Sequence, residues 1–217
     1  WLATNIGVLN SDAAQQVVWA WNGTSYDTFT HSDSAKYLSP GQGFFVGAAG
    51  VGGQSANVTF GTAMRKQNDN PNGFMTDSMD DYRGELFIDI SQSDFSAYTK
   101  IFFIENMTDQ IDPGYDGAGF GLNSYPNIYS KSVDSNFYTS ETGEPINLAS
   151  QSLAYSEMWD KVIPLGINAL GGEEMTISIS HRTTPADLNI YLEDTEEGTM
   201  TNLLEGDFVY TPTSDLS

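Results

Sequence analysis

Three aspartates in one glycine-rich stretch have the residue types of a cation site. Asp109, Asp112 and Asp116 lie in the segment DQIDPGYDGAGFG, residues 109–121. Ca²⁺ binds carboxylate and backbone carbonyl oxygens, and the spacing here differs from that of an EF-hand loop. Aspartate is also frequent in loops because it stabilises turns. Two interpretations therefore stay open: a Ca²⁺ site formed by the three aspartates, or turn-forming acids on a solvated surface.

Residues suited to catalysis are sparse. His31 and His181 are the two histidines, and the chain has no cysteine, which excludes disulfides, thiol catalysis and cysteine-ligated zinc. The sequence contains no nucleophile elbow, no zinc-protease helix motif and no phosphate-binding loop. Acidic pairs such as Glu173-Glu174 have the residue type of a glycosidase pair. Most of the 29 acidic residues are expected on the solvated surface, so we predict that the chain is not an enzyme.

Aromatic side chains provide a second candidate site. They make up 12% of the residues, and a sugar ring can stack its apolar C–H face on an aromatic ring. Large aromatic residues are mostly buried in folded proteins, so core packing is the alternative role for each of them. Tyr125 and Trp159 lie in loop-like sequence and are the predicted carbohydrate-binding residues.

The charge of the chain limits its partners. Eight basic and 29 acidic residues give a net charge of −21. A nucleic-acid backbone or an anionic membrane surface would repel such a chain. No apolar run is long enough to span a bilayer, so no membrane insertion is expected. The charge favours cation binding and solubility outside the cell.

Short alternating segments separated by turn residues predict an all-β fold. We expect a jelly-roll-like β-sandwich of many short antiparallel strands with long loops. Asn22-Gly23 indicates a hairpin within residues 16–29, and the apolar run Ile101–Ile104 is a strand that leads into the acidic loop. Met175–Ser180 alternates strictly. Further strands are predicted at residues 44–46, 56–60, 85–90, 127–131, 136–139, 146–148, 161–165, 188–192 and 208–210.

The length of 217 residues fits one large β domain or two small ones. We predict a single β-sandwich segment over residues 1–217, cut from a larger protein at both ends. The polar stretch 67–81 is rich in turn signals. It is expected to be a long loop, with a division into 1–66 and 82–217 as the alternative.

Six segments follow one another along the chain: YLSPGQGFFV at Tyr37–Val46, VTFGTAMR at Val58–Arg65, ENMTDQIDPGYD at Glu105–Asp116, IYS at Ile128–Ser130, IPLG at Ile163–Gly166, and Ile190–Leu203. In this order they resemble the C-terminal-proximal β region of Bacteroidetes surface and secreted proteins exported by the type IX system, ahead of their sorting domain. The resemblance covers almost the whole chain and carries no catalytic residues.

The resemblance implies a non-catalytic extracellular or outer-surface module with a structural, adhesion or assembly role. Its expected partners are other domains or copies of the same protein. The alternative is a carbohydrate-binding module attached to a secreted enzyme, with a polysaccharide as partner. Asp33-Ser34-Ala35 and Asp77-Ser78-Met79 match the pattern that the resemblance associates with bacterial O-glycosylation, so Ser34 and Ser78 are predicted glycosylation sites.

Overall fold

The computed structural model describes residues 16–22, 25–33, 43–47, 57–62, 83–119, 125–133 and 145–216. Regular structure in these ranges is β apart from the 3-10 helix at Tyr155–Asp160 and 3-10 conformation at Thr62. The predicted all-β, sandwich-like fold is therefore confirmed. The strands are β1 Val18–Trp21, β2 Tyr26–Phe29, β3 Phe44–Val46, β4 Arg83–Gln92, β5 Phe95–Ile104, β6 Gly117–Ala118, β7 Asn127–Lys131, β8 Asn147–Ala154, β9 Leu165–Asn168, β10 Met175–Arg182, β11 Tyr191–Asp194, β12 Thr199–Asn202 and β13 Phe208–Tyr210.

The large sheet has eight strands. Its order is β13-β10-β4-β5-β8-β7-β9, and β6 pairs with β8 beside this path. A second sheet has the order β2-β1-β3, and β11 and β12 form a separate hairpin. Every pairing is antiparallel except that of β5 with β8, which is parallel.

The hairpin of β4 and β5 is the centre of the large sheet. Ten residue pairs join the two strands, from Arg83 opposite Ile104 to Gln92 opposite Phe95. Ser93 has a φ of 55° in the turn between them. Every second residue of β4 is buried, as the alternation of ELFIDI predicts, and the last six residues of β5 are all buried. Both faces of the sheet are therefore covered at β5.

The main hydrophobic core covers one face of this sheet. Its buried residues are Leu86, Ile88, Ile90, Ile101, Phe103, Ile128, Leu153, Met158, Ala169, Met175, Ile177 and Leu188. The three-stranded sheet covers the opposite face. Lys100 Nζ donates a hydrogen bond to the Thr28 carbonyl across the gap (2.9 Å), and Trp19 Nε1 donates one to the Ala118 carbonyl (2.9 Å). These hydrogen bonds join the three-stranded sheet to the large sheet, and the two sheets form the sandwich.

Several strand bounds differ from the predicted ones. Residues 57–60 are not in a strand, and residues 161–164 precede β9 instead of forming it. Pro164 has no N–H to donate to a ladder, and its carbonyl accepts a hydrogen bond from the Lys131 amide (2.8 Å). The polar stretch 67–81 and the strand predicted at 136–139 lie outside the described residues, so the choice between one domain and two stays a prediction.

Gly166 packs directly on an aromatic ring, which makes it a test of the β7–β9 pairing. It lies opposite Tyr129, and a Cβ added at Gly166 would lie 2.2 Å from Tyr129 Cε2. We expect Gly166→Ala to lower the free energy of unfolding by about 1–3 kcal/mol, as overpacking usually does. Gly206→Ala is the matched control, because no heavy atom lies within 4 Å of its added Cβ. Equal urea midpoints for the two variants would contradict the pairing.

Candidate functional site

The acidic loop leaves the buried end of β5 and returns to the sheet at β6. Gly114, which follows Pro113, has a φ of 80°, a backbone conformation that favours glycine and suits a turn. The Asp116 amide donates to the Asp112 carbonyl (3.0 Å), so the loop closes on itself just before β6.

Asp116 is the buried anchor of this loop. Its side chain is fully inaccessible to solvent. Oδ1 accepts a hydrogen bond from the Ser152 amide of β8 (2.5 Å), and Oδ2 accepts one from the Asp112 amide (2.7 Å). One carboxylate therefore joins the loop to a central strand and satisfies two backbone donors.

The other two acids of the loop have separate protein partners. Asp112 Oδ2 accepts a hydrogen bond from the Thr108 amide (2.7 Å). Asp109 Oδ1 accepts one from Lys161 Nζ (2.6 Å), which also binds Glu157 (2.6 Å). Burial lowers the pKa of Lys161, but the hydrogen bonds to Asp109 and Glu157 and the negative charges of these two acids together raise it by more, so the net shift is upward.

The geometry of the loop favours a structural role for its acids, but Asp116 is fully buried and does not lie on the solvated surface that the turn-forming interpretation expected. Across the described ranges, no three acidic, histidine or cysteine side chains converge in a way that could hold a metal ion. Asp109, Asp112 and Asp116 each bind a different set of protein donors instead. Calcium binding by these three residues gains no support from the loop and stays a prediction.

The buried aspartates also predict how stability changes with pH. Burial raises the pKa of Asp116 well above its ordinary value, and it raises the pKa of Asp89 and of Asp112 as well. A carboxyl whose pKa is higher in the folded state binds its proton more tightly there. Its contribution to stability therefore falls as the pH rises from the unfolded pKa, near 3.8, through the folded value.

Asp116→Asn isolates the largest of these contributions, because it replaces the titrating group with an amide. The quantity to measure is the urea midpoint of the wild type minus that of this variant. We expect this difference to be larger at about pH 5 than at about pH 8. Burial lowers the pKa of His31, which has the opposite effect on stability at acidic pH. That residue is the same in both proteins, so its effect cancels in the comparison. A midpoint difference that does not change with pH would contradict the prediction.

Both predicted carbohydrate-binding residues have exposed side chains. Tyr125 is 38% exposed and precedes β7 at a cis peptide bond to Pro126. Trp159 is 50% exposed on the 3-10 helix, next to Met158, which is buried in the core. Each ring has surface on which a sugar could stack, while carbohydrate binding itself stays a prediction. The two predicted glycosylation residues, Ser34 and Ser78, lie outside the described residues.

A cavity of about 400 Å³ between the two sheets is a site that the sequence did not predict. Its walls come from β2 and the following turn on one side, and from β4, β5 and β10 on the other. The lining residues are Asp27, Phe29, Asp33, Glu85, Phe87, Tyr98, Lys100, Phe102 and His181. The volume falls within the range of small-ligand sites, which is roughly 300–1,000 Å³.

A buried ion pair forms part of this cavity. Lys100 Nζ lies 2.5 Å from Asp33 Oδ1, and the two side chains are 5% and 7% exposed. Tyr98 donates its hydroxyl hydrogen to Asp27 Oδ1 (2.9 Å). Burial raises the pKa of Tyr98, and the charge of Asp27 raises it further, so this hydroxyl remains a donor. The pair and the hydroxyl thus attach β2 and its turn to the large sheet.

The outer part of the cavity contains a second group of charges. Glu85 lies 2.8 Å from Arg83 Nε through one oxygen and 2.9 Å from His181 Nε2 through the other. Phe87 lies beside them, with its ring centroid 4.7 Å from that of His181. The alternation of β4 places Glu85 and Phe87 on the face opposite the main core. That pattern is visible in the sequence, but it does not reveal the partners from β2 and β10.

A family model described as a domain of unknown function, DUF8693, matches residues 4–216. No curated protein and no solved structure matches the chain. In the ranges that the structure describes, no helix is long and apolar enough to cross a membrane.

Proposed function

The chain belongs to the DUF8693 family, and we propose that it is a non-catalytic β-sandwich module of a larger secreted or cell-surface protein. Its role is structural, in adhesion or assembly. The observation that carries the proposal is the edge of the large sheet at β13. As far as the structure describes the chain, β13 pairs with β10 on one side and with no strand on the other.

The chemistry of β13 suits pairing with a further strand. Phe208 and Tyr210 pack against the core, while Val209 between them is 54% exposed. The strand contains no charged residue and no proline, two of the features that protect edge strands from partners, although its three residues make it a short edge. A strand from a neighbouring domain of the same protein would continue the sheet and fix the orientation of the two domains.

Two features of the sequence support an extracellular location. The net charge of −21 keeps a protein soluble, and the motif order resembles type IX-secreted surface proteins. Labelling of intact host cells with a membrane-impermeant amine reagent tests the location. We expect modification of Lys131, which is partly exposed, before the cells are lysed. Labelling only after lysis would contradict the proposal.

Carbohydrate binding is the second candidate function, because the rings of Tyr125 and Trp159 are exposed. A glycan array with the wild type and with Trp159→Ala tests it. Binding that is lost in the variant would favour this candidate over the structural role. Binding to no glycan, or equal binding by both proteins, would exclude Trp159 as a carbohydrate-binding residue.

A further inference from the structure

We propose that the cavity between the two sheets binds a small organic cation, namely a primary ammonium group on a short aliphatic stem. Asp27 would be its anchor. The proposal does not rest on the structural role above, because it concerns the interior of the sandwich and not its edge.

Asp27 is the one carboxylate of the lining without a cationic partner in the described part of the chain. Asp33 is paired with Lys100, and Glu85 with Arg83. Asp27 accepts hydrogen bonds from Tyr98 and from Asn22, both through Oδ1. A carboxylate has about four acceptor positions, and among the described residues Oδ2 accepts no side-chain hydrogen bond. A ligand ammonium would supply a donor together with the missing positive charge.

The aromatic lining already holds two cations of the protein. Lys100 Nζ lies 5.2 Å from the ring centroid of Phe29, and Arg83 Cζ lies 5.0 Å from that of Phe102. Cations within about 6 Å of a ring centroid are attracted by the negative face of the ring. The rings give the aliphatic stem of a ligand an apolar surface, and the charge that attracts its ammonium group is that of Asp27.

Other ligand classes fit the cavity less well. An anion would meet three carboxylates, Asp27, Asp33 and Glu85, while the lysine and the arginine beside them are already paired with two of these acids. A sugar needs an open ring face, yet Phe87 is stacked near Tyr98 at an interplanar angle of 17° and lies against His181. No metal-binding group of side chains occurs in the residues that the structure describes.

The test is a titration of the ¹⁵N-labelled protein with 1-aminobutane, followed by NMR at neutral pH. Butan-1-ol is the neutral probe of matched size, and NaCl at equal concentration controls for ionic strength. We expect saturable shifts at the amides of Asp27, Tyr98 and Lys100 with the amine alone. Their midpoint should be in the range of about 1–10 mM, which suits a ligand of few heavy atoms.

Asp27→Asn keeps an oxygen for Tyr98 and removes the charge. We expect it to weaken amine binding by roughly tenfold to a hundredfold, as for the loss of a hydrogen bond to a charged group. Glu205→Gln is the control, because it removes one charge from an exposed residue outside the cavity. The NMR spectra show whether each variant is folded. The comparison of 1-aminobutane with butan-1-ol uses the wild type alone, so it does not depend on the folding of a variant.

Three results would each overturn the proposal. They are equal binding of butan-1-ol, equal amine affinity of the folded Asp27→Asn protein, and the absence of saturable shifts. Shifts of the same cavity amides by glucose or mannose, with none by the amine, would also overturn it by assigning the cavity to a neutral sugar.

Discussion

Lys100→Met is expected to lower the free energy of unfolding by about 3–5 kcal/mol, because it leaves a buried carboxylate without its charge partner. The Lys100 and Asp33 side chains are almost fully buried, 2.5 Å apart. The ammonium also donates to the Thr28 carbonyl (2.9 Å), and this contact holds β2 against the large sheet. Methionine has a similar length and would fill the space without the charge. Urea unfolding followed by tryptophan fluorescence measures the loss.

Two further variants decide whether the ion pair causes this loss. Lys131→Met removes a lysine that is only partly buried and makes no ion pair in the described residues, so we expect a change within about 0.5 kcal/mol. Adding Asp33→Asn to Lys100→Met removes the unpaired charge. The asparagine keeps an oxygen for the hydrogen bond that the Thr30 amide donates to Asp33 Oδ2 in the wild type (2.8 Å). The double variant should therefore recover part of the stability. A loss no larger than that of Lys131→Met would contradict the role of the pair.

Asp116→Ala is the second variant with a large expected effect. It leaves the Ser152 amide unpaired in a buried position and the Asp112 amide unpaired in a partly buried one. An unsatisfied buried donor costs about 1–3 kcal/mol and a partly buried one costs less, so the free energy of unfolding should fall by about 2–4 kcal/mol. Asp109→Ala is the control from the same loop. It removes a partly exposed ion pair with Lys161, and such pairs contribute about 0–1 kcal/mol.

The same two variants separate a structural loop from a calcium site. If Asp116 acts as a structural anchor, its variant should lose the same stability in Ca²⁺ as in NaCl of equal ionic strength. A calcium site would give the wild type a higher melting temperature in Ca²⁺ than in the matched salt. Both Asp116→Ala and Asp109→Ala would then remove that difference. This second outcome would contradict the structural interpretation of the loop.

Local patterns in the sequence predicted several elements well. The bounds of β7 and β13 agree with the predicted ones, and the β1–β2 hairpin forms at the predicted place. In these segments, alternation and turn residues are enough, since each strand is short and bounded by turn signals. The strand predicted at 161–165 was placed too early in the sequence. Pro164 has no N–H to donate to a ladder, and β9 begins only at Leu165.

Long-range features could not be predicted from a single sequence. The parallel pairing of β5 with β8 has no periodic signal that distinguishes it from an antiparallel one. The cavity depends on residues as distant in sequence as Asp27 and His181, which only the topology brings together. The sequence around Asp116 does not distinguish a calcium ligand from a structural aspartate. Its hydrogen bond from the Ser152 amide, 36 positions further along, indicates a structural role.

Hydrogen exchange at β13 is the most direct test of the proposed module. It compares the amides of Phe208–Tyr210 in the isolated chain with those in the full protein that carries the chain in its host. If a neighbouring domain adds a strand at this edge, exchange should be at least about tenfold slower in the full protein for those β13 amides that point away from β10. Successive N–H groups of a strand point to opposite sides, so the others already donate to β10 in both samples. The amides of β4, in the centre of the sheet, should be equally slow in both samples. Equally fast exchange of Phe208–Tyr210 in the two samples would contradict the proposed assembly role.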